Sequence, residues 1–263
     1  MRLVLPALLS LCAAACTLQG DPPTPPIANP LGNGLRIAQV QDPRSPDYHP
    51  NQNSAITSAV VTWHDTFDET MDGKSVGTLY VQDLTSSAPY AGIGLFETNF
   101  IPASLDPLPG DVLDLSGPYQ ESTGIGTAVF NPGTFLPQLS KPVGTYRYEY
   151  VLPAPAQLSA DDLDEGYPKA DSNFAKGRQW LGMLATIKDV VVAAGSSSKN
   201  RVTYQIENAS GGVTPNGPAI SNELYDLRDS DFPAGTHFKS VTGIVTWFYS
   251  FHIAPRYPAD LVQ

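Results

Sequence analysis

The sequence predicts an all-β protein built from two tandem five-stranded Greek-key barrels, preceded by an N-terminal signal and a proline-rich tether. From residue 35 onward, short apolar runs rich in Val, Ile, Thr, Tyr and Phe alternate with Gly, Pro, Asp and Asn. This composition is typical of strands joined by turns. Helical periodicity is weak throughout, and the two halves of this region resemble each other, which indicates a duplicated domain.

The apolar runs define the candidate strands. One short helix is favoured at Ala160–Leu163, because Ser159 is placed to cap it and Asp162 follows three residues later. The candidate strands are Leu35–Val40, Ala55–His64, Gly77–Gln82, Ile93–Phe96, Val112–Tyr119 and Gly126–Phe130, followed by Trp180–Ala193, Val202–Glu207, His237–Val245 and Phe248–Ile253.

The two halves align at one offset. Gly110 opens GDVLDLSG and Gly235 opens the similar GTHFKSVTG, so 235 minus 110 gives an offset of 125 residues. At this offset Leu79 falls on Tyr204, and Val61 falls within residues 184–187. We therefore expect two copies of roughly 110 to 125 residues each, a usual domain size. The alternative is that β-rich stretches align by alternation alone.

Each copy contains three strands, a longer irregular or helical excursion, and a glycine that opens two further strands. The excursions cover residues 97–109 and, in the second copy, about residues 208–234. This order suits the OB-fold, a five-stranded Greek-key barrel. The segments that carry the resemblance are AVVTWHDTFD, GTLYVQD, GIGLFE and GDVLDLSGPYQE in the first copy, and WLGMLATIKDVVV, GTHFKSVTGIV and FHIAPRYPADL in the second.

These segments resemble the OB modules of bacterial extracellular nucleases and of uncharacterised surface lipoproteins. The resemblance covers most of residues 35–263 and rests on strand-and-turn patterns. In OB-folds a helix commonly lies between the third and fourth strands, so the resemblance implies a helix at this place in each copy. In nuclease relatives such modules accompany a separate catalytic domain, for which this chain leaves no room, so we do not expect nuclease activity.

The N-terminus has the pattern of a secretion signal. Arg2 precedes an apolar run, and the small residues 13–15 directly precede Cys16. The pattern resembles the lipobox of bacterial lipoproteins, which implies cleavage between Ala15 and Cys16 and acylation of Cys16. The run is too short to span roughly 30 Å of hydrocarbon, so the lipid would provide the anchor. An ordinary cleaved signal with an A-x-A site is the alternative.

These features divide the chain into four parts. Residues 1–15 form the signal, and residues 16–33 form the tether, because residues 17–33 hold five prolines and two glycines. Barrel 1 is expected at residues 34–152 and barrel 2 at residues 153–263. Once the signal is removed Cys16 is the only cysteine, so both barrels must be stable without a disulfide.

The charge of the chain disfavours nucleic acid as a partner. The 263 residues carry a formal net charge of -11, and the basic residues are scattered. Binding to phosphate backbones depends on several Lys or Arg contacts. The acidic surface suits a protein or glycan ligand better, besides the membrane contact through the lipid. The sequence does not indicate an oligomeric state.

The sequence contains no G-x-S-x-G, P-loop, complete EF-hand loop or H-E-x-x-H motif. We therefore expect no catalytic residue and no cofactor. Two acidic clusters are weak calcium candidates, because calcium binds carboxylate and carbonyl oxygens, but helix capping and solvation are favoured since neither cluster has the alternating ligand pattern of a calcium loop. The clusters supply Asp162 and Asp164 between the barrels, and Asp229 and Asp231 in the second excursion.

The resemblance to OB-folds implies ligand binding on the face of the second and third strands, through stacking on aromatic rings. The candidates are Trp63, Tyr80, Tyr204 and Trp247, for which core packing is the alternative. We therefore expect a lipid-anchored, non-enzymatic binding or adaptor protein of the bacterial cell envelope. Thr17 after the acylated cysteine favours the outer membrane or cell surface over the inner membrane. The alternative is a nuclease-related or other hydrolase, or a nucleic-acid-binding protein.

Overall fold

The computed structural model describes residues 34–122, 136–166, 171–198, 200–211, 217–228 and 232–263. In this part of the chain the protein is all-β, with two seven-stranded sheets and only two short α-helices. The α-helices are α1 (Ile37–Gln41) and α2 (Asp171–Arg178), and single 3-10 turns cover Ala160–Leu163 and Pro258–Asp260.

The first sheet contains the strands of the N-terminal half. They are β1 (Gln52–His64), β2 (Leu79–Asp83), β3 (Gly92–Phe96), β4 (Asn99–Ile101), β5 (Asp111–Ser122), β6 (Leu136–Ser140) and β7 (Val143–Glu149). Five of them form a closed barrel in the order β1-β2-β3-β6-β5, because β5 pairs back onto β1. The β3–β6 pair is parallel, and the other four pairs are antiparallel. The predicted five-stranded barrel is thereby confirmed in this half.

The second sheet contains β8 (Ala156–Leu158), β9 (Leu184–Ser198), β10 (Arg201–Asn208), β11 (Ala219–Ser221), β12 (His237–Trp247), β13 (Phe251–Ala254) and β14 (Leu261–Val262). Its pairings run β9-β10-β11-β13-β12, and β12 pairs again with β9. The β11–β13 pair is parallel, as β3–β6 is in the first sheet. The two sheets therefore share one order of strand pairing.

Equivalent hydrogen bonds in the two halves show how far apart corresponding residues lie in the sequence. Gly110 donates its N–H to Val61 at 2.9 Å, and Gly235 donates to Val192 at 2.8 Å. Both glycines have positive φ, 104° and 89°, which a residue without Cβ adopts without strain. The offset of 125 is confirmed for these glycines. It is wrong for the first strand, where 192 minus 61 gives 131, because the connections between equivalent strands differ in length.

The predicted strand Leu35–Val40 is also wrong, because residues 37–41 form α1. The Asp83 carboxylate accepts hydrogen bonds from the N–H groups of Ile37 at 2.8 Å and Ala38 at 3.1 Å. An acid 46 positions away in sequence therefore starts this helix, which no local pattern shows. Burial raises the pKa of Asp83 to about 6.

The other predicted strands differ mainly at their ends. The first strand of the second half begins at Leu184 rather than Trp180, and residues 248–250 precede β13 instead of belonging to it. The second excursion contains the third strand, β11, and the first contains β4 in place of a helix. The short helix predicted at Ala160–Leu163 is present as a 3-10 turn, with Asp162 accepting the N–H of Ser159 at 2.9 Å. The predicted strand Gly126–Phe130 lies outside the described residues.

Each sheet encloses its own apolar core, and a third cluster joins the two. In this joining cluster Trp63 and Tyr80 of the first sheet pack against buried apolar side chains of the second half, which are Leu184, Leu224, Ile244 and Ala254. The backbone N–H of Leu184 also donates to Oε1 of Gln82 at 2.9 Å. Hydrophobic burial and hydrogen bonds therefore fix the two halves against each other.

A buried ion pair adds to this joint. Arg178, at the end of α2, contacts the Glu121 carboxylate on β5, and both side chains are at most 5% exposed. Arg178 also donates to the Tyr119 hydroxyl at 3.0 Å, and the Tyr48 hydroxyl donates to Glu121 at 2.6 Å. Burial of two charges is tolerated because each finds partners of opposite polarity. Among the described residues, no helix is long and apolar enough to cross a membrane.

Candidate functional site

The outer face of the second sheet carries a cavity of about 720 Å³, which we call the outer groove. Strand alternation creates its lining, because neighbouring side chains on a strand point to opposite faces. On β10, Val202 and Tyr204 are buried in the core cluster, so Arg201 and Thr203 point outward. The groove is lined by Glu69, Thr70, Ser196, Ser198, Asn200, Arg201, Thr203, Ser221, Asn222, Glu223, Phe248, Tyr249, Ser250 and His252.

A loop of the first half forms one wall of the outer groove. Glu69 and Thr70 lie between β1 and β2, and Arg201 on β10 forms an ion pair with Glu69 at 2.5 Å. The Asn200 side chain donates to the backbone carbonyl of Thr70 at 3.0 Å. Burial and the negative charge of Glu223 raise the pKa of Glu69. The site therefore depends on both halves of the chain.

Aromatic side chains form the opposite wall. Phe248 and Tyr249 lie in the turn between β12 and β13, with ring centroids 4.7 Å apart in an edge arrangement. The Arg201 guanidinium lies 4.1 Å from the centroid of the Phe248 ring, which restrains both groups. Tyr249 is 56% exposed and has a φ of 63°. A bulky residue in this backbone region is uncommon and projects its ring away from the sheet.

Asn222 holds the end of β11 in place. Its side chain accepts the N–H of Val202 at 2.8 Å and donates to the carbonyl of Asn200 at 2.9 Å. Ser221 is the last residue of β11 that pairs with β10, and the Asn222 side chain extends this pairing by two further hydrogen bonds. They fix Glu223, the next residue, at the edge of the outer groove.

His252 is the central titratable group of the outer groove. Its Nδ1 lies 2.5 Å from Oε1 of Glu223, and its Nε2 lies 3.4 Å from Oγ of Ser250. The His252 side chain is 5% exposed. Burial acts to raise the pKa of Glu223, but the charge of His252 and its hydrogen bond outweigh burial and hold that pKa below its usual range. Glu223 is therefore an ionised partner for the imidazole at neutral pH.

Two buried polar atoms of the lining have no partner among the residues that the structure describes. They are Oγ of Ser221 and Oε2 of Glu69. Ser221 is only 1% exposed. A buried polar atom without a hydrogen bond costs free energy, so a polar ligand in the outer groove would find both a hydroxyl and a carboxylate oxygen available.

The predicted ligand-binding residues lie mostly elsewhere. Trp63 and Tyr80 belong to the cluster that joins the halves, and the Trp63 ring lies 6.1 Å from that of Tyr257. Tyr204 is 8% exposed and packs on Phe232 at 5.1 Å. Trp247 is also 8% exposed and donates its indole N–H to Glu165 at 3.0 Å. Trp63 and Tyr80 face each other across β1 and β2, and Tyr80 and Trp247 line one cavity, whereas Tyr204 lies apart in the core of the second sheet. Their role in ligand binding stays a prediction.

The acidic clusters have structural contacts where they are described. The Asp162 carboxylate accepts from Ser159 and lies 3.5 Å from Nζ of Lys176, and Asp164 accepts the N–H of Gly166 at 2.9 Å. Asp229 and Asp231 lie outside the described residues. Within the described ranges, no group of three or more His, Cys, Asp and Glu side chains is placed to hold a metal ion.

Cys16 and the whole N-terminal region before residue 34 also lie outside the described residues. Comparison of the chain with protein-family models, with curated proteins and with solved structures returns no match.

The sequence pattern did not single out most of the outer groove. Ser250 and His252 stand two positions apart beside three aromatic residues, which is a weak local signal. Their partner Glu223 is 29 residues away from His252, and Glu69 comes from the other half of the chain. Only the fold brings these side chains together.

Proposed function

We propose that this protein is a lipid-anchored binding protein of the bacterial cell envelope, and that it holds a saccharide in the outer groove. The observation that carries the proposal is the lining itself. Hydroxyl and amide side chains predominate, an exposed tyrosine stands at the rim, and the charged groups are largely paired. Sugars present many hydroxyl groups and flat apolar faces, which match such a lining.

The order of strand pairing supports an OB-type fold for both sheets. In OB-folds, the face of strands two and three and the loops beside it bind oligosaccharides and oligonucleotides. The outer groove lies at the corresponding place of the second sheet. In the pairing order that starts at β9, β10 and β11 are the second and third strands, and residues 248–250 connect β12 to β13. We assign the barrels to residues 34–152 and 153–263.

The charges favour a saccharide over a nucleic acid. Arg201 is the only Lys or Arg among the lining residues, and it is paired with Glu69. Glu223 adds a second carboxylate. A phosphate backbone would meet two acids and a single neutralised base, whereas its binding requires unpaired cations. The concave shape also suits a short glycan better than a protein, which usually binds across a broader surface.

The N-terminal pattern supports the location. A signal at residues 1–15 and acylation of Cys16 would place the barrels outside the cytoplasm, at the outer membrane or the cell surface. Residues 16–33 would act as the tether. Replacement of Cys16 by Ser should remove a diacyl or triacyl mass increment and release the protein from the membrane fraction. A wild type without an acyl increment, or a variant whose membrane fraction is unchanged, would contradict the anchor.

The binding proposal is tested with a panel of neutral and amino-sugar oligosaccharides, titrated into the full chain by calorimetry. At least one class should bind, and Tyr249→Ala should weaken it by about tenfold, because one stacking contact is worth roughly 1 to 3 kcal/mol. Tyr146→Ala is the control, since Tyr146 is an exposed tyrosine on β7 of the first sheet. An entire panel without binding would contradict the proposal, as would equal affinities for the Tyr249→Ala and Tyr146→Ala variants.

A further inference from the structure

Three side chains of the outer groove form a continuous hydrogen-bonded chain. The Glu223 carboxylate lies 2.5 Å from Nδ1 of His252, and Nε2 of the same ring lies 3.4 Å from the Ser250 hydroxyl. Each of the two ring nitrogens therefore faces one partner. An acid, an imidazole and a hydroxyl in this order can activate the hydroxyl as a nucleophile, whatever the fold that holds them.

The strand pairing explains why these groups meet. On β13, Phe251 and Ile253 point into the core, so His252 points to the outer face. It stands between Ala219 on β11 and Thr246 on β12. Ala219 is small, and β11 ends two residues later, which leaves room for Glu223 to reach the ring.

We propose that Ser250, His252 and Glu223 form a hydrolytic triad that cleaves acyl esters in the outer groove. The choice of an O-acylated saccharide as the substrate class rests on the proposed function, whereas the triad itself does not. The inference departs from the expectation of a non-enzymatic protein and selects the hydrolase alternative.

The reaction uses water as its only co-reactant. The Ser250 Oγ attacks the carbonyl carbon of the ester while Nε2 of His252 takes the hydroxyl proton. The C–O bond to the alcohol then breaks, and His252 returns the proton to the departing alkoxide, which leaves Ser250 acylated. A water molecule, deprotonated by His252, attacks the acyl carbon. The ester bond to Ser250 then breaks, His252 gives its proton to Oγ of Ser250, and a carboxylic acid is released.

Glu223 is a positioning residue in this scheme. It fixes the His252 ring with Nδ1 protonated and stabilises the positive charge that forms on the imidazole. The low pKa of Glu223 keeps the carboxylate ionised. The distance of 3.4 Å between Ser250 and His252 is long for a hydrogen bond, as is common for catalytic pairs before a substrate binds.

The scheme uses the backbone N–H of Ser250 as the donor to the oxyanion. Within the described residues, no backbone carbonyl accepts this N–H. Tyr249, with its φ of 63°, turns the chain sharply just before the nucleophile. An uncommon backbone conformation at this point is typical of functional sites.

The test is covalent labelling of the full chain with a fluorophosphonate probe, followed by intact mass and peptide mapping. Ser250 should carry the label, and Ser250→Ala should abolish it. His252→Gln and Glu223→Gln should each slow labelling by about 100-fold, because general-base catalysis contributes on that order. Ser116→Ala, which changes an exposed serine of β5, should label at the wild-type rate.

Two further readouts separate catalysis from folding. Hydrolysis of p-nitrophenyl acetate should be lost in Ser250→Ala, while the melting temperature stays within a few degrees of the wild type. A downfield proton resonance from the Nδ1–H of His252 should be present in the wild type and in Ser250→Ala, and absent in Glu223→Gln. A merely structural Glu223 would leave labelling of a folded Glu223→Gln variant unchanged.

An unlabelled wild-type protein, or a label that persists in Ser250→Ala, would overturn the triad. The two proposals fail independently. A labelled Ser250 in a protein that binds no oligosaccharide would support the triad and overturn only the saccharide. Oligosaccharide binding without labelling would overturn the triad and leave the binding function intact.

Discussion

The two sheets present the same face to different surroundings. In the first, Tyr80, Gly94 and Gln138 form a row across β2, β3 and β6. In the second, the equivalent row consists of Gln205, Ala219 and His252 across β10, β11 and β13.

The first row lines a cavity of about 310 Å³ together with residues 181–182 and 245–247 of the second half, whereas the second row lines a cavity of about 280 Å³ that the second half forms alone. One face has become an interface between the halves and the other a candidate site. The same pairing order therefore accompanies two different faces, and the side chains on each face make the difference.

The difference has a local cause at two glycines. A Cβ on Gly92 would lie 2.6 Å from Cγ of Met183 and 2.7 Å from the backbone of Gly182. Gly182 has a φ of 74°, and a Cβ on it would lie 2.8 Å from the backbone of Ile93. These contacts allow the second half to lie directly on β3. The strand β11 is also buried, with Ala219 6% and Ser221 1% exposed, but the cavity beside Ala219 is lined by residues of the second half alone.

The largest effect is expected from breaking the buried ion pair at the joint. Arg178→Ala should lower the free energy of unfolding by about 3 to 5 kcal/mol, because it leaves the Glu121 carboxylate buried without its cation. Denaturant unfolding measures this change. The double variant Arg178→Met with Glu121→Leu is the matched control and should lose clearly less. A loss below 1 kcal/mol in Arg178→Ala, on the order of an exposed pair, would contradict a buried joint.

A smaller loss of stability is expected at the covered face. Gly92→Ala should cost about 1 to 3 kcal/mol, since the new methyl group overlaps Met183 and Gly182. Gly94→Ala is the control, because its Cβ would come no closer than 3.3 Å to the Thr78 side chain. Thermal melting of both variants distinguishes them. Equal melting temperatures would show that the second half does not rest on β3 as described.

The loop that reaches the outer groove should give a weaker, pH-dependent effect. Burial raises the pKa of Asp65 to about 7. A carboxyl whose pKa is raised on folding stabilises the folded state at low pH, and this contribution is lost as the pH rises through about 7. Asp65→Asn keeps the acceptor for the N–H of Phe67 and should raise the melting temperature at pH 8 by a few degrees. The difference grows as the pH rises from about 4, the pKa of an unfolded Asp, to about 7, so it should nearly vanish at pH 3.5, and an equal shift at pH 3.5 and pH 8 would contradict the burial of Asp65.

The sequence predicted the strands better than the site, for a physical reason. Strand alternation is local, so β1, β2, β5, β10 and β12 were found within a few residues of their ends. The helix α1 was missed because its capping acid, Asp83, is distant in sequence. The strand β11 was missed because three residues are too few to show a period.

The side chains of the outer groove were mostly missed, since they come from five separate segments. The sequence predicts aromatic residues as the ligand-binding groups, because flat ligands commonly stack on aromatic rings. The structure shows that Trp63, Tyr204 and Trp247 already have partners. Tyr249 differs from these three residues because it lies in the turn between β12 and β13, where its side chain stays exposed.

The most direct test of the central claim is to fill the open face and measure binding. Thr203 lines the outer groove on β10, and Thr203→Trp should weaken the tightest oligosaccharide of the panel by at least about tenfold, because the indole would occupy the ligand's place. Lys188→Trp, at an exposed position of β9 outside the groove, should bind as the wild type does. Equal affinities for the two variants, both folded, would contradict the claim that the open face of the second barrel is the binding site.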